Sequence, residues 1–403
     1  MSTTPWLTIV GIGMNGVEDL TPEQRQAIDK AEVLAGGKRH LEMVPDCKAE
    51  RLQWGSPFAA SLEKVLECKD QKVTVLATGD PMWFGIGATL SHRVGNDEIK
   101  VLPAPSAFSL AAARMAWPIA DIECLSAHGR PIEALVSFLT PDAKLLILTA
   151  NGDAPKGIAD LLTTQGFGES HITVLGNLGS DTEEKFETTA AEFGTKVAPD
   201  LNTVAVICRA GPDTKILPRT GGLPDDVFIH DGQMTKREVR AVTLSALQPL
   251  PGTLLWDVGA GCGSVAIEWM RGARGARAYA IEKDLNRRDM IKNNSLALGT
   301  PSLEIIAGTA PNSFEDLDAP DAIFIGGGLT TVNVLLSCWM ALKPGGRIVA
   351  NTVTLESEAI LIEAQKNHGG ELIKISIDTT SSVGSFNRWK PLAPVTQWQA
   401  IKP

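Results

Sequence analysis

Several protein classes are excluded by what this sequence lacks. Its six cysteines, at positions 47, 68, 124, 208, 262 and 338, form no CxxC pair and no His/Cys cluster at metal-ligand spacing. That pattern argues against structural zinc and for a reducing compartment. Basic residues are in deficit: 37 Lys and Arg stand against 47 Asp and Glu, a formal net charge of -10 at pH 7. A general nucleic-acid binder needs a basic face and is disfavoured, whereas a small, locally basic pocket for an anionic ligand is not. No basic segment followed by a long apolar run opens the chain, and LLILTA at 145–150 is much too short to span a bilayer. The expectation is a soluble, cytoplasmic protein with neither membrane nor nucleic-acid partners. No histidine stands near Cys262 in sequence, so it reads as a small loop residue rather than a nucleophile. No internal repeat makes one half a duplicate of the other.

What is present is an α/β pattern long enough for two domains of nearly 200 residues each. From Leu7 to about Cys208, the short runs LTIVGIG, KVTVLATG, KLLILT, HITVLGNLG and TVAVICRA alternate with helical patterns. This predicts α/β layers with largely parallel strands. The half reads as bilobal, because MAWP at 115–118 ends the small-residue helix SAFSLAAARMAW and a new strand, DIECLSAHG, follows. RAGPDTKILPRTGGLPDDVF, 209–228, is crowded with Pro, Gly and Asp and reads as the linker. The alternation then restarts through TLLWDVGAG, RAYAIEKD, LEIIAG, DAIFIGGG and GRIVANTV, and closes with a strand pair around ELIKISID and NRWKPLAPVTQW. Domains are expected at 1–212 and 213–403.

The sharpest local signal runs from Asp257 to Gly263, after an apolar strand and before SVAIEWM, whose Val265, Ile267 and Met270 can line the inner side of a helix. Gly259, Gly261 and Gly263 permit a tight turn and close approach of a ligand to the backbone. Asp257, ahead of the first glycine, argues against a phosphate there and suits an ammonium group. Glu282, roughly nineteen residues past the last glycine, stands at the end of the next strand, where a carboxylate accepts from a ribose diol. The combination resembles the class I S-adenosylmethionine methyltransferases. That resemblance implies Asp257 near the methionine end, the glycine loop under the cofactor, Glu282 on the ribose and GTAP at 308–311, with Ala310, in the adenine pocket. DAIFIGGG, 321–328, would lie beside the transferred methyl, although its glycines also read as a plain strand terminator. From the glycine motif alone, NAD use stays open.

FIHDGQMTKREVRAVTLSAL, 228–247, reads as a helix with Thr235 as N-cap and Glu238 three positions on, a capping box. Lys236, Arg237 and Arg240 form either an anion-facing cluster or a solvated helix face. MTKREVRA resembles the decarboxylating precorrin methyltransferases of corrin synthesis, which implies Thr235 beside S-adenosylmethionine and the basic residues beside a tetrapyrrole. Arg388 and Lys390 are further cationic candidates for that substrate.

IVGIGMNGVEDLT has glycines at 11, 13 and 16 but no acid before them, and is weak by itself. With ATGDPMWFGIG at 77–87, LPAPSAFSLAAARMAWP at 102–118 and LSAHGR at 125–130, it resembles the class III tetrapyrrole methyltransferases. The fold so implied is a pair of α/β lobes with the cofactor in the cleft between them. Carried over, Gly11 and Gly13 lie in the loop that receives substrate, Gly79, Asp80 and Pro81 shape the cofactor loop, and Ser106 and Ala107 contact S-adenosylmethionine. Arg114, His128 and Arg130 are the cationic candidates for substrate carboxylates.

Together the two resemblances span nearly the whole chain and imply a bilobal class III domain followed by a Rossmann-like class I domain. They imply two S-adenosylmethionine sites per chain, no metal, and an anionic tetrapyrrole as substrate. Precorrin-6B would be methylated at C5 by the first domain, and methylated at C15 with loss of the C12 acetate carboxyl by the second, giving precorrin-8X. No single catalytic residue stands out. A homo-oligomer, dimer or tetramer, is expected, with TTVNVLLSCWM at 330–340 contributing apolar surface unless it is a core helix. Transfer to or from neighbouring corrin-pathway enzymes is a further expectation. Two other readings stay open: a nucleotide-dependent tetrapyrrole oxidoreductase, and a non-catalytic protein that binds tetrapyrrole or methyl donor.

Overall fold

A computed structural model describes residues 5–403. They divide into two compact units, one running to Ile132 and including Thr140–Thr214, the other formed by Glu133–Leu139 and Lys215–Pro403. Among the described residues no helix is long and apolar enough to cross a membrane.

The first unit holds two five-stranded sheets. In the first, β1 (Leu7–Ile12), β2 (Val33–Gly36), β3 (Glu50–Gln53), β4 (Val73–Thr78) and β5 (Ile99–Leu102) lie in the order β3-β2-β4-β1-β5, every pair parallel. Strands covered on both faces must be apolar on both. Accordingly Leu7, Ile9, Val73 and Val75 enter one core, while Val10, Ile12 and Leu76 enter the other.

The second sheet contains β6 (Glu123–Ser126), β7 (Lys144–Leu148), β8 (His171–Gly176), β9 (Glu184–Thr189) and β10 (Asn202–Ile207) in the order β6-β7-β10-β8-β9. Only β6 and β7 are parallel; the other three pairs are antiparallel. The expectation of largely parallel strands therefore holds for the first lobe and fails for the second. No α-helix separates β8, β9 and β10, and without a crossover helix successive strands run back along each other. Helix Ala107–Met115 starts at Ser106, whose Oγ accepts from the Ser109 N–H at 3.0 Å. It buries Phe108, Ala111 and Ala112 against Leu146, Leu175 and Ala205 of the second sheet.

The second unit is built on β11 (Leu254–Val258), β12 (Arg277–Glu282), β13 (Glu304–Ala307), β14 (Ala322–Ile325), β15 (Arg347–Thr352), β16 (Glu371–Ile375) and β19 (Val395–Ile401), with β17 (Asp378–Val383) and β18 (Phe386–Pro391) as a separate hairpin. The sheet order is β13-β12-β11-β14-β15-β19-β16. The first five strands are parallel, and β19 runs antiparallel to both neighbours. ELIKISID and NRWKPLAPVTQW thus do supply a pair, Glu371↔Gln399 through Ile375↔Val395, but the hairpin is inserted between its members. Alternate residues of β11 serve opposite cores: Leu255 meets Val265, Ile267 and Leu244, while Trp256 and Val258 meet Ile323, Val334 and Leu361. The strand order reverses between β11 and β14, where an open α/β sheet leaves a crevice at its carboxyl ends.

The helix expected over 228–247 spans only Arg237–Leu247, and its N-cap is Lys236, with no side-chain cap hydrogen bond. No capping box forms at Thr235, and the segment before the helix is held by other bonds. Arg240 Nη1 takes the Thr235 carbonyl oxygen at 2.6 Å, and Asn294 holds Ile229 through both backbone groups, at 2.8 and 2.9 Å. Residues 229–236 are therefore a tethered loop.

Candidate functional site

At the β11/β14 switch point lies a cavity of about 770 Å³, within the range for small-molecule sites. Its floor is the glycine loop. Gly259 and Ala260 donate to the Ile281 carbonyl oxygen at 3.0 and 3.2 Å, while Gly326 and Gly327 donate to that of Val258 at 3.0 and 3.3 Å. A Cβ on Gly259, whose φ is +71°, would lie 2.8 Å from the Gly327 Cα. The glycines at 326–328 thus do more than end a strand: Gly327 makes room for Gly259. Gly263 lies under the loop, where a Cβ would press on Ile291 at 3.1 Å.

Glu282 lines the cavity and is 4% exposed. Its Oε2 accepts from Gly261 N–H at 2.9 Å and its Oε1 from Asp284 N–H at 3.0 Å, leaving lone pairs for a diol. Asp257 is beneath the floor, 1% exposed. Its Oδ2 accepts from Ala266 N–H at 3.0 Å, tying the strand to the next helix, and its Oδ1 has no partner. Burial pushes its carboxyl up to about 7; the Ala266 amide opposes this and the Glu282 charge adds to it. Glu282 occupies the Gly261 N–H and sets a carboxylate beside the loop, which disfavours a pyrophosphate there, whereas Asp257 and the Ala266 amide lie outside the lining. An adenosyl ligand fits the groups that line this cavity, with ribose acceptors on Glu282 and glycine backbone beneath.

Thr235, Lys236 and Ala310 line the same cavity. Arg237 is exposed, with its stem near Gly222 and away from the lining. Arg240 is neither substrate-facing nor solvated: it is 0% exposed, bonded to Glu268 at 2.6 Å, Asp225 at 3.0 Å and the Leu223 and Thr235 carbonyl oxygens, and stacked over Phe228. Glu268 in turn accepts from the Gly222 and Leu223 amides at 2.5 and 3.0 Å. The pair therefore pins the segment leading to the cavity wall. Arg388 and Lys390 stand on the hairpin, opposite Ser381 and Thr379. Both are exposed and neither lines the cavity, although Leu392, just past the hairpin, does. Sequence reasoning missed Arg287, which lines the cavity held by Asp231 at 2.8 Å and Gln233 at 2.7 Å. It also missed Asn351, also in the lining, which bonds Thr243 and Gln397, both at 2.8 Å. No spacing rule marks either residue.

In the first unit, the ends of β1 and β4 meet the loop after β5. Gly79 donates to Ile12 at 3.1 Å, and its own carbonyl oxygen accepts from Ala104 at 3.2 Å. A Cβ on Gly11 would overlap the Gly79 oxygen and lie 2.6 Å from Ala104 N, while Gly13 packs against Asp19. Gly79 has φ +58°, with Pro105 and Ser106 against it. Asp80 Oδ1 accepts from Met82 N–H at 2.9 Å, and Pro81 is walled by Gly85 and Gly87. Gly11, Gly13, Gly79, Asp80, Pro81, Ser106 and Ala107 are thus gathered on one edge. Arg114 is engaged elsewhere, in a bidentate pair with Glu183 that raises its own pKa and lowers that of the acid. His128 approaches the Thr149 carbonyl oxygen at 3.3 Å, and Arg130 lies 4.6 Å over the Phe84 ring.

Residues 6–194 match the family profile described as Tetrapyrrole (Corrin/Porphyrin) Methylases, and residues 226–402 match the Precorrin methyltransferase domain. Over 400 residues, 99% of this chain and 97% of the relative, the sequence is 44% identical to the precorrin-6Y C(5,15)-methyltransferase (decarboxylating) of a Sinorhizobium species. The chain belongs to that family. Shorter relatives match single parts. The cobalt-precorrin-7 C(5)-methyltransferase of Salmonella typhimurium is 35% identical, covering 44% of this chain and 87% of that protein. A probable cobalt-precorrin-6B C(15)-methyltransferase (decarboxylating) of Sulfurisphaera tokodaii is 36% identical, covering 40% and 86%. This family assignment, with the bilobal first unit and the open seven-stranded sheet of the second, accounts for both glycine-built edges.

Two outcomes follow for the second unit. Arg240→Ala strands Glu268 as a buried, unpaired carboxylate. It should destabilise the unit by about 3–5 kcal/mol, read by urea unfolding, whereas loss of a substrate contact would raise KM and leave stability alone. Asp257 holds its proton to about pH 7 in the folded state and releases it near 3.9 when unfolded. Native protein therefore binds more protons between those values, and stability falls as pH rises through them. Asp257→Asn should remove that loss, so in ligand-free thermal unfolding its melting temperature relative to wild type rises from pH 5 to pH 8.

Proposed function

We propose that the chain methylates precorrin-6B at C5 and C15 with S-adenosylmethionine and decarboxylates the C12 acetate, giving precorrin-8X, in the cytoplasm. The observation that carries this is the full-length match to a C(5,15)-methyltransferase, joined to two separate glycine-built strand edges. We assign C5 methylation to the first unit and C15 methylation with decarboxylation to the second. In support, relatives bearing only one of these names match under half of the chain, and the decarboxylating-family segment MTKREVRA leads into the second cavity.

The sulfonium of bound S-adenosylmethionine supplies an activated methyl group. A partly reduced tetrapyrrole carries enamine-like meso carbons, so the chain need not supply a covalent nucleophile; its task is to hold carbon, methyl and sulfur in line. In the second unit Glu282 accepts the ribose hydroxyls, the 259–263 loop supports the donor closely, and Asp257 braces that loop from beneath through Ala266. Thr235 and Lys236 border the acceptor, with Arg388 and Lys390 receiving substrate carboxylates from the hairpin. In the first unit Gly79–Pro81 and Ser106–Ala107 hold the donor, Gly11 and Gly13 admit substrate, and Arg130 with His128 meets its carboxylates. Decarboxylation of the C12 acetate sends the electron pair into the conjugated macrocycle. The dinucleotide-oxidoreductase reading loses ground because the Glu282 carboxylate already occupies the Gly261 amide.

Calorimetry on the full chain should find two S-adenosylmethionine sites. Glu282→Gln should weaken one by about 10- to 100-fold, the worth of one charge-assisted hydrogen bond, with C15 methylation falling and C5 methylation persisting by product mass. A single site in wild type defeats the two-site reading. The chain also assembles as a homo-oligomer in this proposal. Helix Val334–Ala341 buries Val334 and Cys338 but leaves Leu336 53% and Met340 70% exposed, an apolar face suited to a self-contact. Sedimentation should show a dimer or tetramer, and Met340→Glu should shift it toward monomer.

A further inference from the structure

One cationic group on the first unit's carboxyl edge has no role in the reading above. Arg39 and His40 follow β2 on the short helix Lys38–Glu42; Thr78 ends β4, one residue before Gly79; Met14 follows Gly13. The four side chains meet. Arg39 Nη1 lies 2.9 Å from Met14 Sδ, and Nη2 lies 3.1 Å from Thr78 Oγ1 and 3.3 Å from His40 Nε2, which is itself 2.8 Å from Thr78 Oγ1.

The polar contacts of Arg39 are therefore a thioether, a hydroxyl and an imidazole, with no carboxylate or carbonyl oxygen among them. Two other arginines, buried Arg240 and exposed Arg51, are satisfied differently. Arg240 has Glu268 and Asp225, and Arg51 has the carbonyl oxygens of Leu41, Val44 and Pro45. A half-buried cation without a counter-charge is costly, and burial pulls the Arg39 guanidinium below its ordinary value. Of its five N–H donors, these contacts use at most three.

His40 cannot share the charge. Burial, with the Arg39 charge adding, pushes its imidazole down to about 4, so it is neutral near pH 7. Arg39 Nη2 and Thr78 Oγ1 both lie against Nε2, and Nδ1 is buried without a partner. Thr78 accepts from Arg39 and is hydrogen-bonded to His40. The imidazole and hydroxyl are thus a neutral brace that orients one cation.

We infer that Arg39, braced by His40 and Thr78, is a binding site for a ligand carboxylate at the first unit's active edge. This rests on the proposed methyltransferase reading for its ligands, of which two carry the required group: the acid side chains of the tetrapyrrole and the amino-acid end of the methyl donor.

Full-length Arg39→Met and Arg39→Lys are compared with wild type. Uroporphyrin III, an octacarboxylate, is titrated by fluorescence, and S-adenosylmethionine by calorimetry. If the tetrapyrrole is the ligand, Arg39→Met weakens one class of uroporphyrin sites by about 10- to 100-fold, Arg39→Lys recovers part of that loss, and donor affinity is unchanged. In turnover, KM for C5 methylation rises while kcat and C15 methylation hold. If donor affinity falls instead, the carboxylate belongs to the donor. A folded Arg39→Met that binds both ligands as wild type does overturns the assignment. If Arg39→Met does not fold, Arg39→Gln, which keeps a polar contact to Thr78 without the charge, is measured in its place against the same two outcomes. Absence of C5-methylated product from wild type would sink the functional reading, while the binding measurements would still decide the role of Arg39.

Discussion

In both units, loops at the carboxyl ends of parallel strands must come within van der Waals reach of each other's backbone. Gly11 sits on the Gly79 carbonyl, and Gly259 faces Gly327. Parallel strands lie about 4.8 Å apart, so the loops leaving them have no room for a Cβ where they cross. With the side chains removed, what remains is a surface of amides and carbonyl oxygens from strands distant in sequence. The cavity of the second unit is floored by such a contact, and the Gly79–Pro81 turn of the first is held by one.

Charge is distributed around these contacts in a way that the net value of -10 conceals. In the second unit carboxylates cap the loop from below and behind, Asp257 on Ala266 and Glu282 on Gly261. Lys236 lines the same cavity, and Arg287 lines it already paired with Asp231. A ligand positive at its centre and a substrate negative at its periphery suit that arrangement. The Arg240–Glu268 pair serves it indirectly. Buried and bonded to Asp225 and to backbone between Gly222 and Thr235, the pair cannot meet substrate, but it fixes the segment that supplies the wall.

The bilobal first half, the open sheet of the second, the two glycine loops and Glu282 were legible in the sequence, because each rests on local pattern. Apolar runs mark buried strands, and a glycine where three loops cross is required whatever surrounds it. Strand direction in the second lobe was not legible, since β8 and β10 are apolar runs that read the same either way. The capping box at Thr235 was a sound local signal that the structure does not use: Thr235 gives its carbonyl oxygen to Arg240, whose guanidinium is fixed by Glu268 from another helix.

The sequence by itself therefore determined which segments become strands, where their ends need glycine, and which family the chain resembles. The assignment of its charges was left to the tertiary structure. Arg237, Arg240, Arg388 and Lys390 look equivalent as letters, yet one is locked in the core, one is exposed beside Gly222 and two stand exposed on a hairpin. Arg39 drew no notice in sequence, although it stands without a carboxylate beside the Gly79 turn. A cation's role depends on which acceptors reach it, and those come from segments tens of residues away whose positions exist only once the sheets have formed.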